Sequence, residues 1–432
     1  MNGPGRILRP LLALTFLALR AASAQTPLGN DLILAAFPPN VQAEHTPQPV
    51  CDDAGICGLF WEDNHYPDVN KFDVLGAVIS SQGQVLAPAR ILATGDFTNG
   101  PIAVGMEKGF AVFWDRLYPD GNIYPVMQYL DESLKPLRDP ITLPFSENAR
   151  INDPSLYNGF FTIVRTRTGF IFYGSTTDIY PSLAYDAFVY FADRDGKAVR
   201  PRVQVNEGSG RNANTNAWGG LAVQPNGNIV AVYWLGNGAA PSNIYMRRLS
   251  ADGKPLGSER VVSTEHDVFQ GVPVVTSGPD GSFLVAWQRS PAPNTTSDIL
   301  ARRFSAQGQP LGKTFQVNNV HQLDQRYPAI TADAQGNYFI VWQSFIPPYN
   351  WDIKGRLFRS NGTPVADEVR LNQVRQFAQD IPRVTFSPAG TVIAGWESAS
   401  VRQKGIEEFV PVARVFSVVP KPAVPDLPVM LP

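Results

Sequence analysis

Apolar residues in this chain fall into short runs broken by glycine-bearing turns, and the runs recur. From Pro273 to Asn318 the chain reads PVVTSGPDGSFLVAWQRS, a loop, then DILARRFSAQGQPLGKTFQVN. From Pro328 to Asn372 it reads PAITADAQGNYFIVWQS, a loop, then DIKGRLFRSNGTPVADEVRLN. Pro to Trp spans 14 residues in both copies, and Asp to the final Asn spans 20. β-Branched and aromatic runs of this length between turns read as strands. Gly281, Gly308, Gly336 and Gly362 supply the positive φ that a tight reversal needs. Each copy is therefore two hairpins, four antiparallel strands A to D, with no helical period. A lone four-stranded sheet leaves both faces uncovered, so the copies must stack face to face.

Counting outward from the Trp that ends strand B (Trp287 and Trp342) places its equivalents at Trp61, Trp114, Tyr173, Trp234 and Trp396. The gaps of 53, 59, 61, 53, 55 and 54 residues make seven units. The residue that opens strand C, Asp298 in the first copy, recurs at Asp73, Asp186, Asn243 and Asp352. Each stands twenty residues before a small or polar position: Ala93, Asn206, Ser263 and Asn372. The last unit lacks a fourth strand, because the chain runs after residue 417 into proline-rich sequence that cannot supply a ladder. The missing strand is predicted at the other end. PLGNDLIL, from Pro27, matches PLGKTFQVN, from Pro310, so residues 27–36 are expected to act as strand D of the seventh unit and close the ring.

These units resemble the secreted bacterial β-propeller repeats of the form G-N-x-x-V-x-W-x-S, D-I-x-x-R-x-F, G-x-P-x-G, F-x-V-N. The match is close at 273–318 and 328–372 and looser elsewhere. The resemblance implies an all-β, seven-bladed β-propeller with four-stranded blades. The repeat is too long for a WD40 unit, and sialidase-type turns are absent. Proteins of this repeat class are mostly known only as secreted or surface proteins, so the resemblance brings little function with it.

Composition narrows the partners. Charged residues are 17% of the chain, below the roughly 25% usual for soluble domains. The formal net charge is -2. With no basic run, nucleic acid is not expected as a partner. Residues 1–24 read as a signal peptide: Arg6 and Arg9, the apolar stretch Leu11–Leu19, and Ala22-Ser23-Ala24 before Gln25. That stretch is too short to span a bilayer, which takes about 20 residues. No later apolar run is long enough to span, so no integral membrane segment is expected. The expected product is an exported, secreted or periplasmic propeller over 25–417, with a proline-rich tail over 418–432 and a monomer as its state. Cys51 and Cys57 flank the A–B turn of the first unit and are expected to form a structural disulfide.

Candidate chemistry lies on the rim formed by the B–C and D–A connections, where the copies differ. The residue after the Trp position is an acid in units one, two and seven: Glu62, Asp115 and Glu397. These units are consecutive in a closed ring, and paired carboxylates are the tools of glycoside hydrolysis. Three B–C loops offer flat faces for contact, through Tyr180, Tyr185, Tyr349 and Trp351, with Arg326 and Arg402 on the same rim. His266 and His321 hold equivalent places in neighbouring D–A loops. No G-x-S-x-G, HExxH, P-loop or calcium-loop motif occurs, so neither a cofactor nor a metal is expected. The leading expectation is a non-catalytic protein that binds a glycan, peptide or envelope partner. The alternatives are a polysaccharide hydrolase or lyase using the three acids, and a structural envelope component.

Overall fold

A computed structural model of the chain describes residues 25–34, 47–64, 71–96, 98–118, 123–144, 160–176, 186–207, 219–235, 242–265, 268–291, 296–321, 323–348, 350–403 and 406–418. The predicted signal peptide and nearly all of the predicted tail lie outside these residues. Among the described residues every regular element is a strand, and the strands form seven antiparallel sheets.

In chain order, blade 1 is Gln48–Cys51, Ile56–Asn64, Lys71–Ser80 and Val85–Asp96. Blade 2 is Thr98–Gly105, Phe110–Leu117, Ile123–Leu130 and Ile141–Thr142. Blade 3 is Phe160–Arg165, Gly169–Thr176, Asp186–Asp193 and Val203–Gln204. Blade 4 is Gly219–Val223, Ile229–Leu235, Asn243–Leu249 and Arg260–Val261. Blade 5 is Phe269–Ser277, Phe283–Ser290, Asp298–Phe304 and Phe315–Gln316. Blade 6 is Gln325–Ala332, Tyr338–Ile346, Asn350–Phe358 and Val369–Arg370. Blade 7 has Gln379–Phe386, Thr391–Gln403 and Ile406–Val418 as strands A to C. Each strand A packs against the strands A of its two neighbours, right round from blade 7 to blade 1, so these strands form the inner ring. The protein is a closed seven-bladed β-propeller.

The ring closes as the sequence predicts, through two short pieces. Gln25–Pro27 pairs with Phe416–Val418, and Leu32–Ile33 pairs with Val412–Ala413. Leu28 N donates to Val415 O, and Leu34 N to Pro411 O. Leu311 and Val317 make the same two bonds to strand C within blade 5, to Arg303 O and Ile299 O. The N-terminal segment therefore occupies the D position of blade 7 in the register its sequence match implies. Gln373, in the D–A connection of blade 6, holds it from outside by donating its N–H to the Asp31 carboxylate and its amide to Asn30.

Seven apolar seams hold the blades together, one per interface. Trp287 lies between blades 4 and 5, Trp342 between 5 and 6, Trp396 between 6 and 7, and Trp61 between 7 and 1. All four are fully buried. Two expected equivalents are displaced by one residue. Tyr233, not Trp234, faces the preceding blade, and it stands opposite Tyr245 as Trp287 stands opposite Leu300. In blade 3 the position falls on Gly174, opposite Phe188, and Tyr173 faces the next blade instead. Counted from the carbonyl that closes the A–B turn, the seam residue is the fifth in blade 3 as in blade 5, Gly174 after Gly169 and Trp287 after Ser282, so it is the aromatic that stands one residue early.

Polar residues of the repeat make matching contacts from blade to blade. The Trp287, Trp342 and Trp396 indole N–H groups donate to the Oε1 atoms of Gln270, Gln325 and Gln379, at 3.0, 2.7 and 2.8 Å. The residue that opens strand C is bonded by its partner twenty residues on. Asn318 donates to Asp298, Asn372 to Asp352, and Asn206 to Asp186, at 2.9, 2.8 and 2.6 Å. The Arg of D-I-x-x-R crosses the seam. Arg302 donates to Val262 O and Arg356 to Val317 O; Arg247 and Arg414 make the equivalent bonds to Val205 O and Leu371 O. A carbonyl at a blade seam is cut off from water, and these arginines satisfy it.

Candidate functional site

The strand order separates the loops. A–B and C–D turns share one rim, and B–C and D–A connections share the other. The described part of the second rim is richest at blade 6. There strands B and C pair without interruption from Tyr338↔Phe358 to Ile346↔Asn350. The Pro347–Pro348 peptide bond in the turn beyond is cis. The hairpin is paired almost to its tip and forms a tongue on this rim, stiffened because prolines lose little conformational freedom on folding.

Successive residues of a strand point to opposite faces, so the tongue has two sides. On one, Phe345 and Trp351 meet edge to face, with ring centroids 5.1 Å apart. The Arg326 guanidinium lies over the Trp351 ring, 5.3 Å from its centroid, and pairs with the Asp324 carboxylate. Asp324 is itself fixed, accepting from Ser297 N in blade 5 and giving its carbonyl to Phe345 N. A flat aromatic ring with a cation held over it is thus built by contacts within this chain. Next to it Tyr327 is 37% exposed and has φ 50, at the bulge where strand A changes register between Arg326 and Ala329. Val272 and Ile381 repeat that conformation before Pro273 and Pro382, so the bend belongs to the repeat and only the exposed phenol is particular to blade 6.

On the other side the tongue borders a depression of about 470 Å³, walled by Ile346, the two prolines, Asn350 and Asp352 of the hairpin, and by Arg370, Arg375 and Gln376. Its volume lies within the roughly 300–1,000 Å³ of small-molecule sites. The Asn350 amide donates to Arg375 O at 2.6 Å and ties the tongue to the D–A connection of blade 6.

The structure thus brings together Arg326 and Trp351 of the residues singled out in the sequence. Tyr180, Tyr185 and Tyr349 lie outside the described residues, as does the side chain of Arg402. Glu62, Asp115 and Glu397 take the same place after the seam residue in blades 1, 2 and 7, but are only 1%, 7% and 6% exposed. Glu397 stands opposite Asp380 across the sheet, and Asp115 opposite Asn99. His266 is outside the described residues, and His321 Nδ1 contacts Gln316 Nε2 at 2.7 Å. Cys51 and Cys57 form a disulfide, as expected. Among the described residues no group of three or more His, Cys, Asp or Glu side chains is placed to hold a metal. No helix among them is long and apolar enough to cross a membrane.

Sequence reasoning missed Tyr327, Arg370, Arg375 and the seam glutamines. For the glutamines a signal existed, a Gln three residues before the strand-A proline in blades 5, 6 and 7. For the arginines none did, because the cavity they share forms only where strand D and the D–A connection of blade 6 meet its B–C hairpin.

No family model matches the chain, and no curated protein does. Among solved structures it is similar to a protein of unknown function from Dyadobacter fermentans, at 10% identity and TM-score 0.48, covering 92% of this chain and 100% of that one. It is similar to the β-propeller domain of the Trilobed protease from Pyrococcus furiosus, at 7% identity and TM-score 0.48, over 88% and 94% of the chains. A third is the α-L-arabinofuranosidase Arb93A from Fusarium graminearum, at 11% identity and TM-score 0.45, over 91% and 98%.

Proposed function

We propose that this protein is an exported recognition protein that binds a glycan on the B–C/D–A rim of its propeller, with the blade 6 tongue as the principal contact. The observation that carries this reading is the prebuilt Trp351–Arg326–Phe345 platform. A partly buried indole held rigid by an edge-on ring and a tethered guanidinium loses little freedom when a sugar ring stacks on it. The disulfide and the leader-like residues 1–24 support an exported location. Glu62, Asp115 and Glu397 fit less well as catalytic groups, because a hydrolase must touch its substrate and these carboxylates are buried under the rim.

The test is binding of the secreted protein to a polysaccharide array, with product analysis on every hit. A glycan that is retained intact, and lost in Trp351→Ala, supports recognition. A glycan that is cleaved, but spared by Glu62→Gln or Glu397→Gln, replaces this reading with hydrolysis. Silence on the array sinks the glycan and points to a protein partner in the envelope.

A further inference from the structure

The depression on the second side of the tongue is lined by two arginines, and one of them, Arg375, pairs with no carboxylate among the described residues. Most arginines described on the ring are engaged. Arg326 pairs with Asp324, Arg289 with Glu265, and Arg247, Arg302, Arg356 and Arg414 bond carbonyls across seams. Arg370 and Arg375 differ. Among the described residues neither guanidinium donates a hydrogen bond, and both residues line the same depression, with Asp352 as the one acid beside them. Arg370 Nε is buried without an acceptor, and the nearest carboxylate oxygen to its guanidinium is Asp352 Oδ2, at 4.0 Å. Asp352 Oδ1 accepts from Asn372, so its Oδ2 alone answers Arg370, and that loosely, while Arg375 has no such partner among the described residues. Asp31, also close to Arg370, is held by Arg414 at 3.7 Å. The depression therefore presents more positive than negative charge, on a protein whose net charge is -2.

The loosely paired Arg370 and the exposed, unpaired Arg375 leave donors that a ligand oxyanion can take up. Two guanidiniums around one cavity suit a bidentate oxyanion better than a neutral hydroxyl. From this we infer that the depression is a subsite for an anionic substituent of the bound glycan, a uronic-acid carboxylate or a sulfate ester. The sugar that bears the charge sits between the Pro347–Pro348 turn and Arg375, while a neighbouring ring stacks on Trp351 across the tongue. This inference rests on the glycan reading and assigns its substrate class: an acidic polysaccharide, not a neutral one.

The experiment compares binding of the full mature protein to polygalacturonate, to its fully methyl-esterified form, to a sulfated glucan, to a neutral arabinan and to polyglutamate. Arg375→Ala, Arg375→Lys and Trp351→Ala are tested beside the native protein. Arg375 is exposed on a connection, so its replacement leaves the blades intact. The expected result is a preference for the polyuronate or the sulfated polymer over the ester and the arabinan. Arg375→Ala should weaken it at least roughly tenfold, with a smaller loss in Arg375→Lys. Polyuronate and sulfated glucan tell apart the two sources of the anion, and either supports the subsite. Equal affinity for acid and ester, or full affinity in Arg375→Ala, overturns it while leaving glycan recognition standing if Trp351→Ala still abolishes binding. Equal binding of polyglutamate overturns it as well, since charge alone would then suffice. If no glycan binds at all, the recognition reading itself fails.

Discussion

The repeat sets single side chains tasks that differ in consequence. The seam tryptophans are large buried aromatics, yet each also needs its indole N–H satisfied, and one Gln per blade does this in blades 5, 6 and 7. Gln325→Ala should destabilise the protein by about 1–3 kcal/mol, the cost of a buried donor left without an acceptor. Chemical denaturation checks this, and an unchanged midpoint would mean that the bond contributes nothing net. Glu107 illustrates the opposite case on the turn rim. Its hydrogen bond to Arg194 holds its carboxyl well below the usual range, at about 2 instead of 4.5. A lowered folded value means the stabilisation is present above pH 4.5 and is lost as the pH falls towards 2. Both side chains are well exposed, 38% and 58%, so water and salt screen the pair and the effect is small. Native protein and Glu107→Gln should therefore differ most above pH 5 in low salt and converge in acid. A difference that ignores pH would contradict the pairing.

Among elements, the closing segment is the one on which the ring depends. Gln25–Leu34 supplies the fourth strand of blade 7, and Leu32 and Leu34 cover the seam beside Trp61. Removing it exposes the edge of Ile406–Val418 and opens that seam at once. Deletion of residues 25–34 should lower the thermal midpoint sharply and promote self-association through the bared edge. A truncated protein that melts like the native one, as a monomer, would mean the segment is ornamental. This strand was legible in advance because PLG followed by alternating apolar residues recurs in blades 4 and 5. The blade count was legible for the same reason, since one unit cannot bury its own faces. What the pattern misplaced was local. A Tyr-Trp pair in blade 4 and a Tyr-Gly pair in blade 3 put the marker aromatic one residue off the seam position, and a one-residue shift in a strand turns a side chain to the other face. The tongue of blade 6 was legible only as a proline- and aromatic-rich loop. Its two-sided character depends on the register Phe345↔Trp351, which the residues alone do not fix.

For the propeller as a body, the two rims have different fates. The turn rim is built from near-identical glycine turns and cross-blade ion pairs, such as Arg165 to Asp53 at 2.7 Å and Arg138 to Asp195 at 2.9 Å. The opposite rim carries the divergent segments, and a rigid ring holds them at fixed spacing, which favours recognition by preorganised loops. Binding there should shield the tongue and its neighbours while leaving the far rim unchanged. The decisive measurement is hydrogen exchange of the mature protein with and without an acidic polysaccharide that it retains. The account predicts slowed exchange in 324–327, 343–352 and 370–376, and no change in the A–B and C–D turns. Protection confined to the turn rim, or centred on Glu62, Asp115 and Glu397, would contradict it.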